Sequence, residues 1–115
     1  MPKTLRMLIE ARRRRGWRVG RRCRNKSSPA VVIASSTYLV EHPDVLVGIL
    51  TTKQPKPTTS TDCVLQDWQS AELRAESYFR VYVLTMHRSE LTTIGHLSDR
   101  DWDQVKSRVR TAFAI

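Results

Sequence analysis

The chain has 115 residues, with 20 Lys and Arg against 11 Asp and Glu, a formal net charge of +9, and two cysteines. This length fits one domain around one modest core. Two cysteines without a CxxC pair exclude a disulfide framework and a thiolate metal cage, so Cys23 and Cys63 are expected as free thiols in a reducing cytoplasm. No apolar run reaches membrane-spanning length, and Leu5, Met7, Leu8 and Ile9 are too few for the apolar stretch of a signal peptide, so neither a span nor a leader is expected.

The charge is unevenly placed. Met1 to Lys26 carries eleven basic residues and one acid, Glu10, while the 89 residues that follow carry nine basic and ten acidic. The excess favours a polyanionic partner, either nucleic acid or an anionic membrane surface. A segment this basic and this poor in apolar residues reads as a solvated, poorly ordered head or an atypical first segment, residues 1–28, with counterion release as its route to nucleic acid. Two other readings are a short helix over residues 3–15 and a sequence produced by a shifted reading frame or a misplaced start.

Further along, residues 29–36 (Pro-Ala-Val-Val-Ile-Ala-Ser-Ser) form a β-branched apolar run bounded by polar residues, which predicts a buried strand. Residues 37–43 read as a connection. Residues 45–51 form a second buried strand, in which Gly48 marks a bulge or a close backbone approach. Residues 53–61, with Pro55 and Pro57 among Lys, Thr and Ser, are an exposed loop. A short strand over 62–65 and one or two helical turns over 67–73 follow, with Trp68, Ala71 and Leu73 inward. Residues 77–86 make the longest strand and 91–97 a short one.

Ser98 then reads as an N-cap, with Asp99 and Asp101 in the first turn, where the helix dipole favours acid. Leu97 and Trp102 form a hydrophobic staple across it. Trp102, Val105, Val109, Ala112 and Phe113 recur at helical spacing and predict one apolar stripe. The pattern is about five strands and a terminal helix with no βαβ alternation, so the expected fold is α+β, mainly β: a compact antiparallel sheet or small barrel with one packed helix.

Five short segments in order carry a resemblance. They are Pro29-Ala30-Val31-Val32-Ile33, Ile49-Leu50-Thr51-Thr52-Lys53, Asp67-Trp68-Gln69, Ser77-Tyr78-Phe79-Arg80 and Gly95-His96-Leu97-Ser98. Together they span about three quarters of the chain, and residues 29–115 resemble the PemK/MazF family of toxins. The resemblance implies an SH3-like (CcdB/PemK-like) barrel with a C-terminal helix. It also implies a homodimer neutralised by a cognate antitoxin peptide, a cytoplasmic location without membrane attachment, and a metal-independent endoribonuclease with no cofactor. In that reaction the ribose 2′-OH of single-stranded RNA attacks the adjacent phosphate. This needs a base for the 2′-OH, a cation for the charge building on the phosphate and an acid for the leaving oxygen.

Carried over residue by residue, the resemblance makes Thr51 and Arg80 the catalytic pair. Thr51 stands where a buried strand runs out into a loop, so its hydroxyl has either a phosphate oxygen or the strand-end backbone to bond. Arg80 interrupts an apolar run and must face solvent, a carboxylate or a phosphate. Lys26, Ser28, Thr52, Lys53 and Gln54 are the candidate RNA-binding residues. His42, His87 and His96 are scattered, with His87 conceivable as an acid/base group. Three departures define the alternative, a relative that binds RNA or antitoxin without cleaving. Ser28 stands where the family places an Arg, Tyr82 stands where some members carry an Asp, and no first strand is recognisable before Pro29, which leaves a barrel short of one wall.

Overall fold

Apolar residues that alternate sides along a strand must be covered on both faces, and this requirement shapes the molecule. The computed structural model describes residues 7–12, 27–54 and 58–114. Along the chain these form β1 (Met7–Arg12), β2 (Ser27–Val32), α1 (Ser36–Glu41), β3 (Asp44–Thr51), β4 (Cys63–Val64), β5 (Tyr78–His87), β6 (Leu91–His96) and α2 (Asp99–Ala112), with a one-turn 3-10 helix, Arg88–Glu90, between β5 and β6. The strands make one sheet in the order β4-β5-β3-β2-β1-β6, and every pairing is antiparallel. The architecture is the mainly β, α+β fold expected.

Two apolar clusters lie on opposite faces of the sheet. Leu8, Val31, Leu50 and Phe79 face one side and pack with Leu65, Ala71, Leu97, Trp102 and Val105, so α2 and the turn before β5 close that face. Ile9, Ala30, Val32, Val45, Val47, Ile49 and Met86 face the other, where Tyr38 and Leu39 of α1 lie over them. β1 and β2 each supply both clusters from consecutive residues, as period-2 alternation requires.

The position of β1 corrects the reading of residues 1–28 as a solvated head. Met7–Arg12 sit between β2 and β6, with Leu8 opposite Val31 and Ile9 opposite Thr93. The physical reason is local: Leu8 and Ile9 are both almost completely buried, one on each face, and two such anchors outweigh charged neighbours at the strand's flanks. The same observation removes the short-helix alternative for these residues and supplies the strand thought missing before Pro29. The boundary at residue 28 falls inside β2. The rest of the head, with Cys23 and Lys26, lies outside the described residues.

Other differences are smaller. The connection 37–43 contains α1, started by Ser35, whose hydroxyl accepts a hydrogen bond from the Tyr38 N–H at 3.2 Å, and followed by Pro43. α2 forms with Ser98 as its N-cap and Leu97 and Trp102 buried beside one another, but Ala112 and Phe113 leave the predicted stripe. Phe113, the C-cap where the helix ends, is 44% exposed. Gly48 satisfies both readings offered for it. The β3–β5 register shifts between Gly48 and Leu50, and a Cβ at Gly48 would overlap the ring of the fully buried Phe79.

Candidate active site

Thr51 and Arg80, far apart in sequence, are brought to one patch by the β3–β5 pairing. Thr51 lies directly opposite Tyr78, and Leu50 directly opposite Phe79. Leu50 and Phe79 point into the cluster closed by α2, so Thr51 and Tyr78, both half-buried, point to the opposite face at the end of the sheet. Arg80, two residues beyond Tyr78 and exposed, shares that outer face one diagonal step from Thr51. The strand is irregular here: Gly48 pairs with Val83 but Leu50 with Phe79, so two steps along β3 answer to four along β5. Arg80, Val81 and Tyr82 occupy this bulge. Bulges re-aim side chains and recur beside active sites.

The hydroxyl of Thr51 accepts a hydrogen bond from the Lys53 N–H at 3.1 Å, which turns the chain sharply out of β3. That bond uses one of the oxygen's lone pairs and leaves the O–H able to donate elsewhere. Thr52, Lys53 and Gln54 follow on the surface, all exposed, at the mouth of the loop that leads toward residue 58. Ser28 is in β2, and the Ala30–Ile49 pairing sets the Ser27 end of β2 alongside the Thr51 end of β3. Lys26 lies outside the described residues, as do Pro55, Lys56 and Pro57.

Arg80 meets a carboxylate. Its Nε lies 3.4 Å from Asp62 Oδ1, with the Arg80 side chain 56% exposed and that of Asp62 only 4% exposed. Asp62 also accepts from the Thr59 N–H and the Thr59 hydroxyl, each at 3.0 Å to Oδ2, while its carbonyl accepts from Arg108 Nε of α2 at 3.0 Å. Sequence reasoning missed Asp62. The available signal was an Asp directly before a short strand, three residues after a Thr, which is the spacing of a side-chain-to-backbone turn. Tyr78 was also missed: its hydroxyl donates to Glu76 Oε1 at 2.6 Å, and this bond raises the Tyr78 pKa.

Other singled-out residues have structural roles. His87 is opposite Asp44, at the far end of β3 and β5 from Thr51, and its ring caps the 3-10 turn by accepting from the Ser89 N–H at 3.1 Å. His42 stacks on Tyr38 with ring centroids 4.4 Å apart. The Asp67-Trp68-Gln69 segment is a clasp: Asp67 accepts two hydrogen bonds from Arg100, at 2.8 and 2.7 Å, and one from the Ser98 hydroxyl. Cys63 is half-buried, and burial pushes its thiol up to about 11, far from the range of a reactive thiolate. Among the described residues no three His, Cys, Asp or Glu side chains gather where a metal ion would be held, and no helix is long and apolar enough to cross a membrane.

Residues 18–113 match the family described as PemK-like, MazF-like toxin of type II toxin–antitoxin system. Among solved structures, the chain is similar to an endoribonuclease in complex with its cognate antitoxin from a mycobacterial species (TM-score 0.73, 16% identity, covering 95% of this chain and 92% of that one). It is also similar to the Mycobacterium tuberculosis toxin MazF-mt6 (TM-score 0.72, 16% identity, 96% and 98%). At this identity the structural likeness is one of fold. No curated protein matches the sequence.

Proposed function

Since the chain belongs to the PemK-like, MazF-like toxins of type II toxin–antitoxin systems, we propose that it is an endoribonuclease that cuts single-stranded RNA without a metal ion. The observation that carries this reading is the convergence of Thr51 and Arg80 on one outer face at a strand bulge, beside a surface turn bearing Lys53 and Gln54. In the reaction the ribose 2′-oxygen forms a bond to the adjacent phosphorus and gives up its proton. The bond to the 5′-oxygen breaks, and that oxygen takes a proton as it leaves. Negative charge builds on the non-bridging phosphate oxygens. The Arg80 guanidinium supplies a planar, permanently charged set of donors for that charge, and the Thr51 O–H a neutral one.

Thr52, Lys53 and Gln54 contact the RNA backbone in this reading, with Ser28 at the neighbouring strand end, and Lys26 is a further proposed contact. A cognate antitoxin peptide and a second copy of the chain are its proposed protein partners. The solved fold relative that holds its own antitoxin supports the former by analogy.

The test is to incubate the purified chain with a long single-stranded RNA in EDTA, beside Thr51→Ala and Arg80→Ala. Discrete fragments with wild type are expected, reduced roughly a hundredfold or more in rate by either substitution. The second reading, a relative that binds RNA or antitoxin without cutting, is favoured by Ser28, a residue that cannot supply positive charge beside Thr51. Intact RNA at high protein concentration, together with retained RNA binding, would establish it.

A further inference from the structure

We propose that Asp62 is a positioning residue, a buried carboxylate that aims the Arg80 guanidinium at the phosphate and ties it to the loop that follows Thr51. This rests on the endoribonuclease reading. An arginine on an exposed strand face has four side-chain torsions to sample, and a group that must meet charge as it develops has to be held before the reaction begins. Arg80 is held at one point, Nε, by Asp62 Oδ1, while more than half of its side chain remains open to solvent. A contact at Nε leaves the guanidinium's outer nitrogens to face a phosphate, because all five donors lie in one plane.

Asp62 is itself fixed from three directions. Oδ2 is occupied by the Thr59 N–H and hydroxyl, the Asp62 carbonyl accepts from Arg108 of α2, and the Asp62 N–H donates to the Thr59 carbonyl at 3.1 Å. A carboxylate so enclosed, with Oδ2 hydrogen-bonded to Thr59 and Oδ1 ion-paired with Arg80, does not reach substrate, so it acts through Arg80. The placement also links two parts of the candidate site. The loop leaves β3 at Thr51, where the threonine hydroxyl turns it, and returns at Asp62, where the aspartate carboxylate closes it. The two ends of one loop thereby meet the two proposed catalytic side chains.

A double-mutant cycle in the RNA-cleavage assay reads this coupling, with Asp62→Asn, Arg80→Ala and the pair made in the full chain. Asp62→Asn keeps the size of the side chain and an acceptor for Thr59 but removes the charge that holds Nε. It is expected to lower kcat roughly ten- to hundredfold with little change in KM. In the Arg80→Ala background the same substitution is expected to cost less than about twofold, because nothing is left to position. A second measurement needs no cleavage: exchange of the Arg80 Nε–H with water by nitrogen-15 NMR, the signal assigned by its absence in Arg80→Ala. Slow exchange in the wild type, quickened by Asp62→Asn, is expected. Equal losses in both backgrounds, or fast exchange in the wild type, overturn the proposal. If Asp62→Asn does not fold, the wild-type exchange rate decides. A wild-type chain that cuts no RNA overturns the endoribonuclease reading instead, and the exchange measurement still shows whether Asp62 holds Arg80.

Discussion

Asp67 shows how one side chain joins two segments distant in sequence. Its carboxylate receives Arg100 through two nitrogens and the Ser98 hydroxyl, and these bonds hold its pKa down to about 2, from an ordinary 3.8. Hydrogen bonding to Arg100 is the largest cause. A carboxylate whose folded pKa is depressed contributes stability that is fully present above the unfolded value and is lost as pH falls through the folded one. The wild-type melting temperature should therefore fall between about pH 4 and pH 2, and Asp67→Asn should melt lower at neutral pH with a flatter profile across that window. Parallel profiles would remove Asp67 from the acid response. The motif that carried the family resemblance at Asp67-Trp68-Gln69 is thus explained by clasping the turn to the N-terminus of α2. Asp101 reinforces the clasp, its fully buried carboxylate accepting the Gln66 and Asp67 N–H groups at 2.8 Å each. A second residue-level feature was invisible in sequence. Glu72 has φ of 66°, in the left-handed region that disfavours a Cβ. Glu72→Gly should stabilise the chain by a few tenths to about 1 kcal/mol, seen as a rise in melting temperature that Glu72→Ala does not give.

Among the elements, those with strong periodic patterns were legible from sequence and those made by a single side chain were not. β3, β5 and α2 carry apolar residues at strand or helix spacing over long segments, so their existence and type follow from the spacing of Val, Leu, Phe and Trp. α1 has six residues and buries none of them completely, so no stripe announces it, and its only signal was the Ser35 cap followed by Pro43. β1 was hidden because two buried residues, Leu8 and Ile9, sit amid a dense run of arginines. For the candidate site, Thr51 and Arg80 were singled out by the family resemblance, Thr51 at a strand end and Arg80 interrupting an apolar run. Asp62 was not, since its partner depends on which strands pair, and of the bulge only Gly48 gave a sign, not the residues of β5 that occupy it. Gly95 belongs to the same class of feature. It lies in β6 under the turn that precedes β5, and a Cβ there would overlap the carbonyl of Ala71. That neighbour is backbone, in a turn pinned by Asp101, so it cannot swing aside. Gly95→Ala should cost about 1–3 kcal/mol, measured as a lower denaturation midpoint with an unchanged slope. An unaltered midpoint would mean that the turn yields.

At the scale of the whole molecule, the placement of β1 changes what the basic segment is. With β1 paired to β2 on one side and β6 on the other, the residues from Arg13 to Lys26 are no free tail but join two neighbouring strands of the sheet. Eight of those fourteen residues are Arg or Lys and none is acidic. The chain enters β2 at Ser27, at the end of β2 beside the Thr51 end of β3. Truncating residues 1–28 is therefore the wrong test of that charge: it would strip β6 of its partner and remove Leu8 and Ile9 from both cores, and the product should lose cooperative unfolding. Replacing Arg13, Arg14, Arg15, Arg18, Arg21 and Arg22 with Gln leaves both strands in place and isolates the electrostatic contribution. For every phosphate of a single strand that is no longer neutralised, the slope of log affinity against log salt should shrink by about 0.7. The substituted chain should thus bind RNA more weakly at low salt and converge on the wild type as salt rises. Parallel salt dependences would show instead that the arginines between β1 and β2 take no part in holding RNA, and would leave the proposed binding to Lys53 and its neighbours at the end of β3.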